Sequence, residues 1–267
     1  MQVAPGESVA ARRELPAQPY GALAAIYDEV MGHVNYAKWV DFTREILSAH
    51  GLPQPSALRP PLILECACGT GIVALMLASL GYRIEAFDAS PAMVKRAREK
   101  AVGICNQPDF RVGDFLVLDA KNQYDAAICL YDSINYLMST DQVSAFLKLI
   151  KEALKPGGLF LFDICTELNS QLHFADNSED GSGEGFSYHR EMRYDPKAML
   201  QENRFWITFD QNRNTVYTET HRQRIYPVTL VRQLIHGSGL VLMEEADEFT
   251  RRAPHADSLR VHFLSRA

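Results

Sequence analysis

Residues 62–90, LILECACGTGIVALMLASLGYRIEAFDAS, decide the fold. Leu62–Cys66 is an apolar run carrying one acid, Glu65. Small residues turn the chain at 67–71, and Gly71–Leu80 has the composition of a buried helix. Arg83–Phe87 is a second apolar run, closed by Asp88. Strand, tight turn, helix and strand make the unit of a parallel sheet, whose ligands bind beyond the carboxyl ends of the strands. Small side chains let the main chain come close to a ligand, and the helix start offers unpaired N–H groups.

Outward from this stretch the alternation continues. Pro91–Ala101 is expected as a helix, with Ser90 as its cap and proline in its first turn. Strands are expected at Asp109–Val112, Ala126–Leu130 and Leu159–Asp163. A helix is expected at Asp141–Leu154, and a Pro-Gly-Gly turn at 156–158. Upstream, Tyr20–Met31 and Tyr36–His50 have apolar residues at helical spacing, followed by a proline-rich connector at 53–61. The first 19 residues read as a flexible tail, and residues 20–267 as one domain.

Beyond Cys165 the texture changes. Asp176–Ser187 (DNSEDGSGEGFS) is polar and glycine-rich, and a flexible loop is expected, either a plain linker or a mobile lid. Tyr188–Tyr194, Leu200–Phe209 and Thr215–Tyr226 read as three antiparallel strands, with Phe205, Ile207 and Phe209 on one face of the second. The insertion, about 176–227, is expected to cover the acceptor site. A helix at Thr229–His236 and strands at Leu240–Phe249 and Leu259–Leu264 complete the chain. The expected class is α/β: a Rossmann-like, mostly parallel seven-stranded sheet with helices on both faces and an inserted three-stranded antiparallel sheet.

Composition narrows the partners. The chain has 267 residues, 47% of them hydrophobic, and a net charge of −6. No basic run is interleaved with aromatics, so nucleic acid is not expected as a partner. The basic KRAREK segment, 95–100, reads as a solvated helix face. Five cysteines without metal-like spacing suggest packing in a reducing compartment, and no apolar run is long enough to span a bilayer. A cytoplasmic protein without a membrane partner is expected.

Three cofactor loops can be compared with the turn. A dinucleotide fingerprint needs G-x-G-x-x-G, and a phosphate loop needs lysine beside Ser or Thr. The sequence here is E-x-A-x-G-x-G, which satisfies neither. It resembles motif I of the class I S-adenosylmethionine-dependent methyltransferases, with Ala67 where a glycine is usual. The resemblance extends through Asp88, through Gly113-Asp114-Phe115, through Leu130–Tyr136 and through the Pro-Gly-Gly turn. In layout, the strands inserted after the fifth strand also resemble those of amino-sugar N-methyltransferases and related small-molecule enzymes.

The resemblance implies S-adenosyl-L-methionine as cofactor and a small-molecule acceptor methylated on nitrogen or oxygen. It implies that Glu65 orients the methionine end, that Asp88 grips the ribose, and that Asp114 and Phe115 frame the adenine. Ala67, Gly69, Gly71, Ala89, Met93 and Leu130 complete the cofactor set. Tyr20 is the aromatic hydroxyl implied for the methionine carboxylate, within N-terminal helices that also carry Tyr27, Asp28 and Trp39.

Around the acceptor, an amine needs only to arrive neutral, whereas a hydroxyl needs a general base. His221, Asp132 and Tyr136 are the catalytic candidates, with His189 a further possible base. Arg222 and Arg224 share a strand face and are either an anion clamp or surface decoration. Asp132 and Asp163 resemble a divalent-metal pair, but Ile164 stands where that site has Asn, and no metal is expected. A catalytically silent cofactor-binding subunit and a nicotinamide oxidoreductase are the alternatives.

Overall fold

The computed structural model describes residues 12–267. In chain order its elements are β1 (Arg13–Pro16), a 3-10 turn (Leu23–Ala25), α1 (Tyr27–Val30), α2 (Tyr36–Ala49), β2 (Leu62–Cys66), α3 (Ile72–Ser79), β3 (Arg83–Asp88), α4 (Pro91–Ala101), β4 (Asp109–Val112), β5 (Tyr124–Cys129), a 3-10 turn (Ser133–Tyr136), α5 (Thr140–Ala153), β6 (Leu154–Cys165), α6 (Glu167–His173), β7 (Asn177–Gly183), β8 (Phe186–Asp195), β9 (Leu200–Phe209), a 3-10 turn (Asp210–Asn212), β10 (Thr215–Arg224), α7 (Val228–Ser238), β11 (Val241–Asp247) and β12 (Arg260–Arg266).

Seven strands form one sheet in the order β11-β12-β6-β5-β2-β3-β4. β5, β2, β3, β4 and β6 run parallel, while β12 and β11 are antiparallel additions at one side. Strand alternation sorts the apolar residues onto two faces. Ile63, Ala126, Ile128 and Leu161 pack with Ile46, Leu77 and Val94 from α2, α3 and α4. Leu64, Ala127, Cys129 and Phe160 pack with Phe146, Leu147 and Ile235 from α5 and α7. Both faces are thus covered, which is why the central strands read as unbroken apolar runs.

Local chemistry sets the helix ends. Ser90 caps α4 by accepting from the Met93 N–H, and Pro91 fills the first turn, as the sequence predicts. Ser139 and Gln142 form a reciprocal capping box at the start of α5.

A second sheet, with order β1-β10-β9-β8-β7, differs from expectation in two ways. The segment 13–16 is not a tail: it pairs in parallel with β10 from Thr215 to Thr218. Residues 1–11 of the expected tail lie outside the described residues. Asp176–Ser187 is not a loop either. Asn177–Gly183 is the edge strand of this sheet, paired with β8 in continuous register. Its glycines mislead as loop signals because they make room for aromatic rings. A Cβ at Gly181 would lie 2.3 Å from the Tyr188 ring, and one at Gly183 would lie 2.4 Å from the Phe186 ring.

Smaller departures follow from tertiary packing. Tyr20–Met31 is a 3-10 turn and one short helix rather than a continuous helix, because Leu23 and Ile26 turn inward against Phe186, Phe205 and Ile207 of the second sheet. The Pro-Gly-Gly turn is a bulge inside β6: Tyr124 pairs with Leu154 and Ala126 already pairs with Leu159. The short helix α6 had no separate signal in the sequence.

Candidate active site

One cavity of about 1000 Å³ lies beyond the carboxyl ends of β2, β3 and β5, between the two sheets. This is the upper end of the range of roughly 300–1,000 Å³ for small-molecule sites. β2 is flanked by β3 on one side and β5 on the other, so the cavity lies where the strand order reverses. Glu65, Ala67, Gly69, Asp88, Ala89, Met93, Asp114, Phe115, Leu130, Tyr20, Asp132, Tyr136 and His221 all line it.

Gly71 does not. It starts α3 at φ 78°, and a Cβ there would lie 2.7 Å from the Phe110 ring and 2.9 Å from Ala97. Its role is close packing of the turn against α4, a different reason for the same glycine.

The alanine that replaces the usual glycine strains the turn. Ala67 has φ 56°, in the left-handed region that glycine occupies freely. Gly69, at φ 54°, has no atom within 4 Å of where a Cβ would stand. The turn is held by Asp88, whose Oδ2 accepts from the Gly69 N–H at 2.9 Å and whose Oδ1 accepts from the Ser90 N–H at 2.8 Å. Burial raises the Asp88 pKa, and those two N–H groups oppose the rise. A carboxylate has about four lone-pair positions, so Asp88 retains capacity for two further donors.

Glu65 is 4% exposed, and its Oε2 has no hydrogen-bond partner among the described residues. Burial, reinforced by the nearby Asp88 charge, pushes its pKa up to about 8. A buried carboxyl oxygen without a partner is costly unless a donor arrives to complete it. The ammonium of a methionine tail is such a donor, so the residues present fit the cofactor that the loop implies.

Phe115 packs between Phe87 and Phe146, ring centroids 6.1 and 4.7 Å away. Asp114 is exposed and accepts from the Leu116 N–H at 2.7 Å.

A chain of polar groups crosses the opposite wall. Glu219 and His221 are both buried on the inner face of β10, Oε2 to Nε2 at 3.2 Å. His221 Nδ1 lies 3.2 Å from the Tyr136 hydroxyl, which lies 2.5 Å from the Tyr20 hydroxyl. Although burial opposes it, hydrogen bonds from His221, Leu23 and Ala22 hold the Glu219 pKa below its usual value. With Glu219 ionised, the His221 proton resides on Nε2 and donates to it. That leaves Nδ1 to accept from the Tyr136 O–H, whose oxygen accepts from Tyr20.

Tyr20, implied at the methionine carboxylate, thus joins a relay with Tyr136 and His221. Burial and Tyr136 raise its pKa well above the usual phenol value. Glu219 also accepts from the N–H groups of Tyr20, Ala22 and Leu23 at 2.8, 2.5 and 2.9 Å. Sequence reasoning missed it. Its two-residue spacing from His221 was the available signal, because residues i and i+2 of a strand share a face.

The other acids are engaged differently. Asp132 Oδ1 meets Arg260 Nη2 at 2.7 Å, and its Oδ2 accepts from Gln223 Nε2 at 2.6 Å. Arg260 also binds Asp163, and Asp163 Oδ2 accepts from the Asp132 N–H at 2.8 Å. A guanidinium therefore stands between the two carboxylates that resemble a metal pair. With both Asp132 oxygens taken, a positioning role is favoured over a base. Gln223 continues through Gln201 to Ser170, joining the second sheet to α6.

Arg222 and Arg224 are exposed, and Arg222 pairs with Glu202 at 2.8 Å, so neither faces the cavity. His189 is likewise outside it, at 2.9 Å from Asp180. Trp39 packs against Tyr131, Phe249 and His262. Asp28 bonds Thr70 in the motif turn and Lys100 on α4.

The family model described as a methyltransferase domain matches residues 63–158. Residues 63–158 of this chain are thus similar to a methyltransferase domain.

YqeM of Bacillus subtilis, a protein named as a methyltransferase, is 29% identical over 255 residues, covering 91% of this chain and 95% of its own length. An S-adenosylmethionine-dependent methyltransferase from Clostridium acetobutylicum superposes with a TM-score of 0.78 at 24% identity, over 93% of this chain and 98% of that one. The sugar N-methyltransferase KedS8 from Streptoalloteichus does so with a TM-score of 0.69 at 18% identity, over 100% and 99%. The chain thus has the fold of these solved structures. None of its described helices is long and apolar enough to cross a membrane.

Proposed function

We propose that this protein transfers a methyl group from S-adenosylmethionine to a nitrogen or oxygen of a small molecule held under the second sheet. Bound S-adenosylmethionine supplies an electrophilic methyl on a cationic sulfur. Glu65 receives the ammonium of its methionine end, Asp88 the ribose hydroxyls, and Asp114 and Phe115 the adenine. The second sheet roofs the acceptor.

One observation carries the reading: Glu65, with its unpartnered Oε2, lines the same cavity as Tyr20, Tyr136 and His221 of the relay that ends on Glu219. The relay suits proton removal from the acceptor. A proton accepted by a tyrosine oxygen displaces that tyrosine's own proton along the relay to His221 Nδ1, and Glu219 stabilises the resulting imidazolium. Both tyrosines remain neutral phenols at rest, since burial raises both of their pKa values. The small-molecule acceptor is supported by enclosure between the sheets and by the likeness to a sugar N-methyltransferase.

The test has two stages. Calorimetry should show S-adenosylhomocysteine binding that is lost in Glu65→Ala. A metabolite extract incubated with labelled methyl donor should then yield a labelled small product, identified by mass. Binding without any labelled product would point to a silent cofactor-binding subunit, and nicotinamide binding in its place would overturn the reading.

A further inference from the structure

Arg190, on β8, is the arginine of the second sheet that lines the cavity. Its guanidinium lies 5.3 Å from the centroid of the Phe205 ring and 5.7 Å from that of Phe174. Nε and Nη2 donate to Asn203 Oδ1 at 3.1 and 2.8 Å, and Nη1 donates to Glu179 Oε1 at 3.2 Å. Of the five N–H donors of a guanidinium, one on each terminal nitrogen is left without a described partner. Asn203 is 5% exposed, and holding the fork by its oxygen directs its own amide donors away from the guanidinium.

The charge is poorly balanced by protein. The Arg190 side chain is 21% exposed, whereas its one acidic partner, Glu179, is 41% exposed on the edge strand. An ion pair with one exposed member is weak. A cation held between two rings with donors to spare is a receptor for a planar or tetrahedral oxyanion. Phe205 also stands 5.5 Å from the His221 ring, which connects this cation to the proton relay through one aromatic side chain.

We infer that the acceptor carries an oxyanionic group, a carboxylate or a phosphate ester, and that Arg190 binds it at the end of the cavity remote from the methyl donor. This rests on the methyltransferase reading and adds the substrate class. Arg222 and Arg224, which suggest an anion clamp in the sequence, face away from the cavity, and Arg190 takes that place. Phe174 and Phe205 accommodate an apolar or aromatic body next to the anion.

The test uses full-length protein saturated with S-adenosylhomocysteine, titrated calorimetrically with benzoate, phenyl phosphate and neutral benzamide. At least one anion should bind tenfold or more tightly than benzamide, and whichever binds better distinguishes the carboxylate from the phosphate source. Arg190→Met should abolish that preference. Arg190→Lys should lose most of it, because an ammonium lacks the fork, and it decides the matter if Arg190→Met does not fold. Glu179→Gln should strengthen anion binding severalfold by removing the competing carboxylate, an effect that a merely structural ion pair would not produce. Equal binding of the three probes, no binding of either anion at millimolar concentration, or a preference that survives in both Arg190 variants would overturn the inference. Failure of S-adenosylhomocysteine itself to bind would instead count against the methyltransferase reading.

Discussion

Glu219 and His221 stand two residues apart on the inner face of one strand, and the carboxylate that orients the imidazole also gathers the main-chain N–H groups of Tyr20, Ala22 and Leu23. One buried side chain therefore organises both the proton relay and the segment that carries its first hydroxyl. Glu219→Gln keeps the volume but supplies no negative charge and can present its NH2 to His221. A drop of at least tenfold in kcat is expected in steady-state kinetics, with a smaller change in KM. Because the folded pKa of Glu219 is lowered, its stabilisation is present above the unfolded value and is lost as pH falls through the folded one. Thermal melts of wild type and variant should therefore converge in acid.

Glu65 works in the opposite sense. With a folded pKa of about 8 against an ordinary 4.5, the free protein holds its proton more tightly than the unfolded chain does. That stability is fully present below the unfolded value and is lost as pH rises toward 8. Glu65→Gln is expected to melt higher than wild type at pH 8 while binding the cofactor at least tenfold more weakly.

Cofactor binding should also release a proton. An ammonium seated on Glu65 favours the carboxylate, so below pH 8 ionisation must accompany binding. Calorimetry in buffers of different ionisation enthalpy should detect the release, and affinity should fall as pH drops below 8. An affinity flat from pH 6 to 9 would remove Glu65 from contact with a cation.

Asp88→Ala removes the hydrogen bond to Gly69 of the motif turn, the one to Ser90 and, in the proposed site, the acceptor for the ribose hydroxyls. A loss of at least tenfold in S-adenosylhomocysteine affinity is expected, together with a lower melting temperature. Unchanged calorimetric affinity would refute the ribose assignment.

Ala67→Gly relieves a left-handed alanine. The conformation costs roughly 1–2 kcal/mol for an L-residue, and the greater freedom of glycine in the unfolded chain offsets about 0.4–1 kcal/mol of that. A small rise in melting temperature is expected, measurable by differential scanning calorimetry.

The parallel sheet was legible because its signals are local. Leu62–Cys66 and Arg83–Asp88 read as apolar runs, and Ser90-Pro91 announced the helix that follows. The cofactor candidates come to line one cavity because the turn, Asp88 and Asp114 all lie at strand ends of consecutive units, and topology brings such ends together. The second sheet was only half legible. Arg13–Pro16 finds its partner two hundred residues away, and nothing in four residues announces that pairing. Asn177–Gly183 has the composition of a loop because an edge strand held by main-chain bonds needs no apolar face. Arg190 and Glu219 were missed because their significance lies in which cavity their strand faces, which composition does not record.

The two sheets meet over the cavity but draw their side chains from separate stretches of chain, the larger sheet's turns from residues 65–115 and the smaller sheet's inner face from 190–223, with segments 18–36 and 130–142 between them. Selectivity can therefore be retuned by exchanging inward residues of the smaller sheet, such as Gln201 or Asn203, while donor recognition stays intact. The protein is to that extent a fixed engine with an interchangeable jaw.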